Sequence, residues 1–225
     1  MLLSSLPAWA IFGFGVHAGQ DLFTIEKKDQ FSFNLIDGSN VGLTREEISN
    51  PTHFGMHFFM DMIPAPLIDE IDVSVDFSSK KYKYTFENPA YTGSGSQIQP
   101  EEVKYNRIGG AVTIRHYLMK FPPMLKTVRV YIGAGFGMQM ISPIVGRDLI
   151  YDNLFDSVTP LNLESQDVLK KSSKACFVGL LGVRVKPPLL PVSVRAEGRY
   201  IAMGAWDYEQ PGNYFQLSLG VSYTI

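Results

Sequence analysis

From residue 11 onward the chain alternates apolar and polar positions in stretches of about ten residues, the period of two that marks an extended strand with unlike faces. One stretch places Phe54, Met56, Phe58, Met60 and Met62 on one face, with His53, Gly55, His57, Phe59 and Asp61 opposite. The next sets Ile71, Val73, Val75 and Phe77 against Glu70, Asp72, Ser74 and Asp76. Further on, Val128, Val130, Ile132, Ala134, Phe136, Met138 and Met140 oppose Arg129, Tyr131, Gly133, Gly135, Gly137 and Gln139. Val192, Val194 and Ala196 oppose Ser193, Arg195, Glu197 and Arg199. The last stretch runs Phe215, Leu217, Leu219, Val221, Tyr223, Ile225 against Gln216, Ser218, Gly220, Ser222, Thr224. Three weaker stretches rest on Phe12, Phe14 and Val16, on Ile108, Val112 and Ile114, and on Phe177, Leu181, Val183 and Val185, where Val178 and Leu180 blur the pattern.

The junctions alternate too. Short proline turns at Pro64-Ala65-Pro66, Phe121-Pro122-Pro123 and Pro187 to Pro191 separate long polar ones, roughly Gln20 to Thr52, Ser78 to Glu102, Ser142 to Ser173 and Gly204 to Asn213. The layout predicts an all-β, eight-stranded antiparallel up-and-down barrel with tight turns at one end and long loops at the other. Volume decides which face points inward. The apolar faces, completed with Ala18, Ala175 and Tyr200, carry about forty mostly large side chains, and an eight-stranded interior is only just wide enough to be filled. A three-layer barrel core holds about twelve. The bulky face must therefore point outward, and an apolar band of that size needs lipid rather than water. Val130, Ile132 and Phe136 are expected to meet lipid, and Arg129, Tyr131 and Gly135 the lumen.

Composition adds limits. A chain of 225 residues is one domain's worth, and no stretch approaches the run of about 18 apolar residues that a membrane helix needs. A net charge of −2 gives no reason to invoke nucleic acid. The single Cys176 excludes an internal disulfide and reads as a small strand residue. Residues 1–10 end in Ala8-Trp9-Ala10, the small-residue pattern of a signal-peptide cleavage site, and are expected to be the remnant of one. The barrel domain is then 11–225.

Taken together, these strands resemble the eight-stranded outer-membrane barrels of the OmpA, OmpX and OmpW type, over nearly all of residues 11 to 225. Phe215 to Ile225 is similar to the C-terminal signal read by the barrel-assembly machinery. Members usually end in Phe or Trp, where this sequence has Ile225 and keeps an aromatic at Tyr223. The resemblance implies a multi-pass protein of a Gram-negative outer membrane, with outer-membrane lipids and lipopolysaccharide as partners, inserted by that machinery and monomeric.

The lumen carries the candidate chemistry. Asp61, Glu70, Asp72, Asp76 and Glu197 share it with Arg115, Arg129, Arg184, Arg195 and Arg199. In a ring of eight, the third strand faces the seventh, so Asp72 and Asp76 are placed to reach Arg195 and Arg199 across the axis. Buried charges are costly unless paired, so these groups are expected to form either a polar plug or the lining of a narrow path or small-ligand site. His53 is read as a solvated rim histidine near Ser49 and Thr52. The chain has no G-x-S-x-G, nucleotide or metal motif, and no catalytic residue or cofactor is expected.

The loops offer two further features. Lys80, Lys81 and Lys83 interleave with Tyr82, Tyr84 and Phe86, as a solvated strand tip or as a basic-aromatic edge for lipopolysaccharide phosphates. Asp148, Asp152, Asp156, Glu164 and Asp167 make an acidic loop without calcium-loop spacing, and Trp206 and Tyr208 mark the last loop. The leading expectation is a non-enzymatic outer-membrane barrel for envelope integrity or surface interaction. Its rivals are a narrow porin-like or ligand-binding barrel and, on loop histidines alone, a lipid A-modifying enzyme.

Overall fold

The computed structural model describes residues 11–34, 40–61, 68–87, 101–122, 127–142, 144, 172–204 and 211–225. They form β1 (Ile11–Leu22), β2 (Thr24–Ile25), β3 (Lys28–Asn34), β4 (Asn40–Arg45), β5 (Ile48–Ser49), β6 (Thr52–Asp61), β7 (Glu70–Glu87), β8 (Glu101–Phe121), β9 (Val128–Ile141), β10 (Ser172–Val185), β11 (Val192–Ala202) and β12 (Asn213–Thr224). Strands β1, β6, β7, β8, β9, β10, β11 and β12 pair antiparallel with their neighbours in that order, and β12 returns to β1. The circle is closed. This is the eight-stranded barrel that the alternation and the resemblance both implied.

Its faces are inverted relative to a water-soluble barrel. On β6, His53, Gly55, His57, Phe59 and Asp61 are buried, while Phe54, Met56 and Phe58 are exposed. On β9, Tyr131 and Gly135 point inward and Ile132 and Phe136 outward, Phe136 being 73% exposed. Arg129 and Val130, near the short-turn end, are half-buried. Outward aromatics concentrate near both ends of the strands. Phe12–Phe58 and Phe14–Tyr223 lie toward the short turns, with ring centroids 6.2 and 5.9 Å apart. Phe54–Phe77 and Tyr200–Phe215 lie toward the long loops, at 5.4 and 5.0 Å.

Several boundaries differ from the sequence expectation. The junction placed at Gln20 to Thr52 contains strand structure: β1 continues to Leu22, β2 pairs with β5, and β3 and β4 form a hairpin whose inner strand pairs with β7. The junction placed at Ser78 to Glu102 is strand at both ends, since β7 runs on to Glu87 and pairs with β8 as far as Tyr84↔Glu101. Polar composition misled here, because a strand that rises clear of an apolar belt has no need of an apolar outer face. Val178 and Leu180, which blurred the sixth pattern, point into the barrel, where they are 1% and 7% exposed. On β8 the register shifts between Tyr117 and Met119, so Leu118 and Met119 both face out. The signal remnant, the acidic loop, Trp206 and Tyr208 lie outside the described residues.

Small inward positions make room for large ones. A Cβ on Gly182 would sit 2.4 Å from the Tyr131 phenol, which lies against that backbone. Gly182→Val should therefore overpack the lumen and cost about 1–3 kcal/mol, read as a lowered urea midpoint for unfolding from lipid vesicles.

Candidate functional site: the lumen ladder and its cover

Inward positions along the barrel wall are mostly polar from the short-turn end to well past mid-strand, and the long side chains meet across the axis. At the short-turn end, Arg184 Nη1 donates to Glu70 at 2.7 Å and lies 3.6 Å from Asp61. Arg129 reaches the same Asp61 at 3.5 Å. The Tyr117 hydroxyl donates to Glu70 at 2.5 Å, and the Arg184 guanidinium stacks 4.2 Å from the Phe59 ring centroid.

One level further in, Arg115 holds three carboxylates. It contacts Glu70, lies 3.0 Å from Asp72, and lies 2.9 Å from Glu197. Arg195 on β11 crosses to Asp72 on β7 at 3.0 Å. Arg199 contacts Glu197 at 2.5 Å, donates to Ser74 at 3.0 Å, and reaches Asp76 at 3.5 Å. The ten charged residues assigned to the lumen from sequence all face it, and all ten belong to contacts within this one ladder. The cross-axis reach of β11 to β7 pairs Asp72 with Arg195 and Asp76 with Arg199.

The upper part of the ladder was not legible in the sequence. Arg107 donates to both oxygens of Asp21, at 3.0 and 3.1 Å, and also to Ser78 and Gln139. Gln216 donates to Asp21 at 3.1 Å. His53 is fully buried with Nδ1 3.0 Å from Asp21, which corrects its reading as a solvated rim residue. The alternation places it on the inward face of β6, and that signal outranks its nearness to a loop.

His17, His53 and His57 form a column on the wall made by β1 and β6. The ring centroid of His17 is 6.0 Å from that of His53 and 5.6 Å from that of His57. His17 Nε2 contacts the Asp76 carboxylate, so this nitrogen carries a proton. His17 Nδ1 lies 3.5 Å from His57 Nδ1, and His57 Nε2 lies 2.8 Å from the Ser222 hydroxyl. These contacts link Ser222 on β12 to Asp76 on β7 through two imidazoles. The remaining histidine, His116, faces outward near the short turns, 2.9 Å from Asp69.

Toward the long loops the inward positions change character. Above Arg107 on β8 comes Tyr105, above Gln216 on β12 comes Tyr214, and above Ser78 on β7 come Tyr82 and Tyr84. With Phe23, Ile25, Ile48, Ile144 and Met203 they form a buried apolar cluster. Phe23 packs edge-on to both Tyr105 and Tyr214, at centroid distances of 5.6 Å each. Arg107 lies 5.5 Å from the Tyr214 ring centroid, joining this cover to the ladder below. From Asp61 to Asp21, side chains from different strands meet inside the barrel at each of these levels.

No family model matches the chain, and no curated protein matches it. Among solved structures it is similar to the Neisserial surface protein A, NspA, at 12% identity and a TM-score of 0.46, over 96% of this chain and 99% of that one. It is also similar to the N-terminal β-barrel domain of Pseudomonas aeruginosa OprF, at 8% identity and a TM-score of 0.37, over 96% and 97%. At these identities and scores neither neighbour bears on activity.

Proposed function

We propose that this chain is a non-enzymatic outer-membrane β-barrel whose filled lumen serves envelope integrity or surface interaction rather than transport. The observation that carries the reading is the pairing of an outward apolar belt, ringed by aromatics at both ends, with an interior of opposed charges under an apolar cover. Side chains such as Met56 and Leu219, each 67% exposed on the belt, lower the free energy only when lipid covers them. Inside, each cation has a carboxylate within reach, which removes the main cost of burying it.

A narrow wet path is the rival. It is favoured by Arg195 Nε and Nη2, Arg199 Nη2 and Thr113 Oγ1, buried atoms without a protein partner that water would satisfy. The lipid-modifying reading finds the elements of a relay in Ser222, His57, His17 and Asp76, yet Ser222 is 3% exposed and faces the lumen, out of reach of a lipid. Reconstituted in planar bilayers, the protein should give no discrete conductance steps in molar salt. Steady openings would move the reading to a narrow pore, and altered lipid A masses on expression would move it to an enzyme.

A further inference from the structure

Above the belt, β7 and β8 continue as a paired ribbon, and their outward faces change abruptly from apolar to basic. On β7 the outward positions run Val75, Phe77, Ser79, Lys81, Lys83. On β8, read in the same direction, they run Val112, Gly110, Ile108, Asn106, Lys104, Glu102. Ser79 and Asn106, bonded side chain to side chain at 2.9 Å, mark the changeover. Lys81 and Lys104 lie four residues beyond Phe77 and Ile108. That is about 13 Å along the strand, and about 10 Å in height at the usual barrel tilt. This height is the headgroup zone of a leaflet whose hydrocarbon begins at the belt.

The register adds a second observation. Lys81 stands directly opposite Lys104, a cross-strand pair of like charges that repels. Two carboxylates share the face. Glu102 is 2.7 Å from Lys81 and opposite Lys83, and Glu46 accepts from the Lys83 backbone N–H at 3.1 Å. The hydrogen bond from Lys81, with the further positive charge of Lys81, Lys83 and Lys104, holds the Glu102 carboxyl below its ordinary value. Tyr82 and Tyr84, two aromatics of the edge expected from sequence, take no part, since they point inward to the cover, and the side chain of Phe86 lies outside the described residues.

We infer that Lys81, Lys83 and Lys104 form a docking face for the phosphate of a membrane lipid headgroup, seated beside the ribbon with its acyl chains on Phe77 and Ile108. An anion between Lys81 and Lys104 converts their repulsion into two attractions, and lysine serves phosphate as a compact point charge. The face is continuous with the apolar belt, so one lipid can satisfy both, which free phosphate cannot do. The inference rests on the membrane reading above.

The test compares wild type with Lys81→Gln/Lys83→Gln/Lys104→Gln, all three exposed positions. Each is taken through native mass spectrometry from micelles holding equal phosphatidylglycerol and phosphatidylcholine. Wild type should retain phosphatidylglycerol in preference to phosphatidylcholine by about tenfold, and the variant should lose the preference. Both proteins should insert equally into vesicles, read by protease protection. Equal insertion with undiminished phosphatidylglycerol retention in the variant overturns the site, as does displacement of the lipid by millimolar inorganic phosphate. Failure of wild type itself to insert ends the membrane reading and the site with it.

Discussion

Replacing Arg115 with Met should destabilise the barrel by about 3–5 kcal/mol, because it strands buried carboxylates rather than merely deleting a contact. Arg115 touches Glu70, Asp72 and Glu197 at once, and its own side chain is 2% exposed. A methionine fills much of the volume but leaves three acids sharing what Arg184, Arg195 and Arg199 still supply. Removing a whole pair should be milder. In a double-mutant cycle on Asp72→Ala and Arg195→Ala, the double variant should be clearly less destabilised than the sum of the singles, with a coupling of about 0.5–3 kcal/mol. Urea unfolding from lipid vesicles reads all four proteins. Strict additivity would mean that water already screens the pair, and the wet-path reading would then gain.

Phe136→Arg should cost about 2–4 kcal/mol in the same assay and far less in detergent, where the chain can rearrange around the charge. Phe136 sits mid-strand on β9, opposite Val112 and Phe177, with its ring packed 5.4 Å from that of Phe177. Gly135, one residue away, faces the lumen, so spin labels walked from 132 to 138 should alternate between oxygen-accessible and oxygen-shielded. Loss of that alternation would remove the lipid-facing assignment of the belt.

What the sequence disclosed, and what it hid, follows from where side-chain period is a reliable guide. Within the belt each residue must choose between lipid and lumen, so Ile71 to Phe77 and Phe215 to Ile225 could be assigned residue by residue. The same alternation placed Asp72 and Arg195 on facing walls, because counting strands around a ring fixes which walls face. Asp21 and Arg107 escaped notice for the opposite reason. They occupy the last inward positions before polar junctions, where a charged residue looks like loop. Their partnership spans 86 positions in sequence and could be seen only once β1 and β8 were closed into one cylinder. The apolar cover was hidden in the same way. Tyr82, Tyr84, Tyr105 and Tyr214 look like loop aromatics until the strands are extended past the belt, and only then do they share an inward face.

The contacts from Ser222 through His57 and His17 to Asp76 have a consequence for how the cylinder shuts. They cross the seam where the first and last strands meet, with Gly15 opposite both His57 and Ser222. A slip of β12 by two residues along β1 would keep the apolar side chains outside and re-form all but the end rungs of the ladder, so lipid and main chain would discriminate only weakly against the error. It would, however, carry the Ser222 hydroxyl about 7 Å from its imidazole, well beyond hydrogen-bond reach. Arg195, beside Gly220 on the far edge of β12, would lose its neighbour in the same slip. The histidine column therefore gauges the seam, distinguishing the true closure from its nearest imitation.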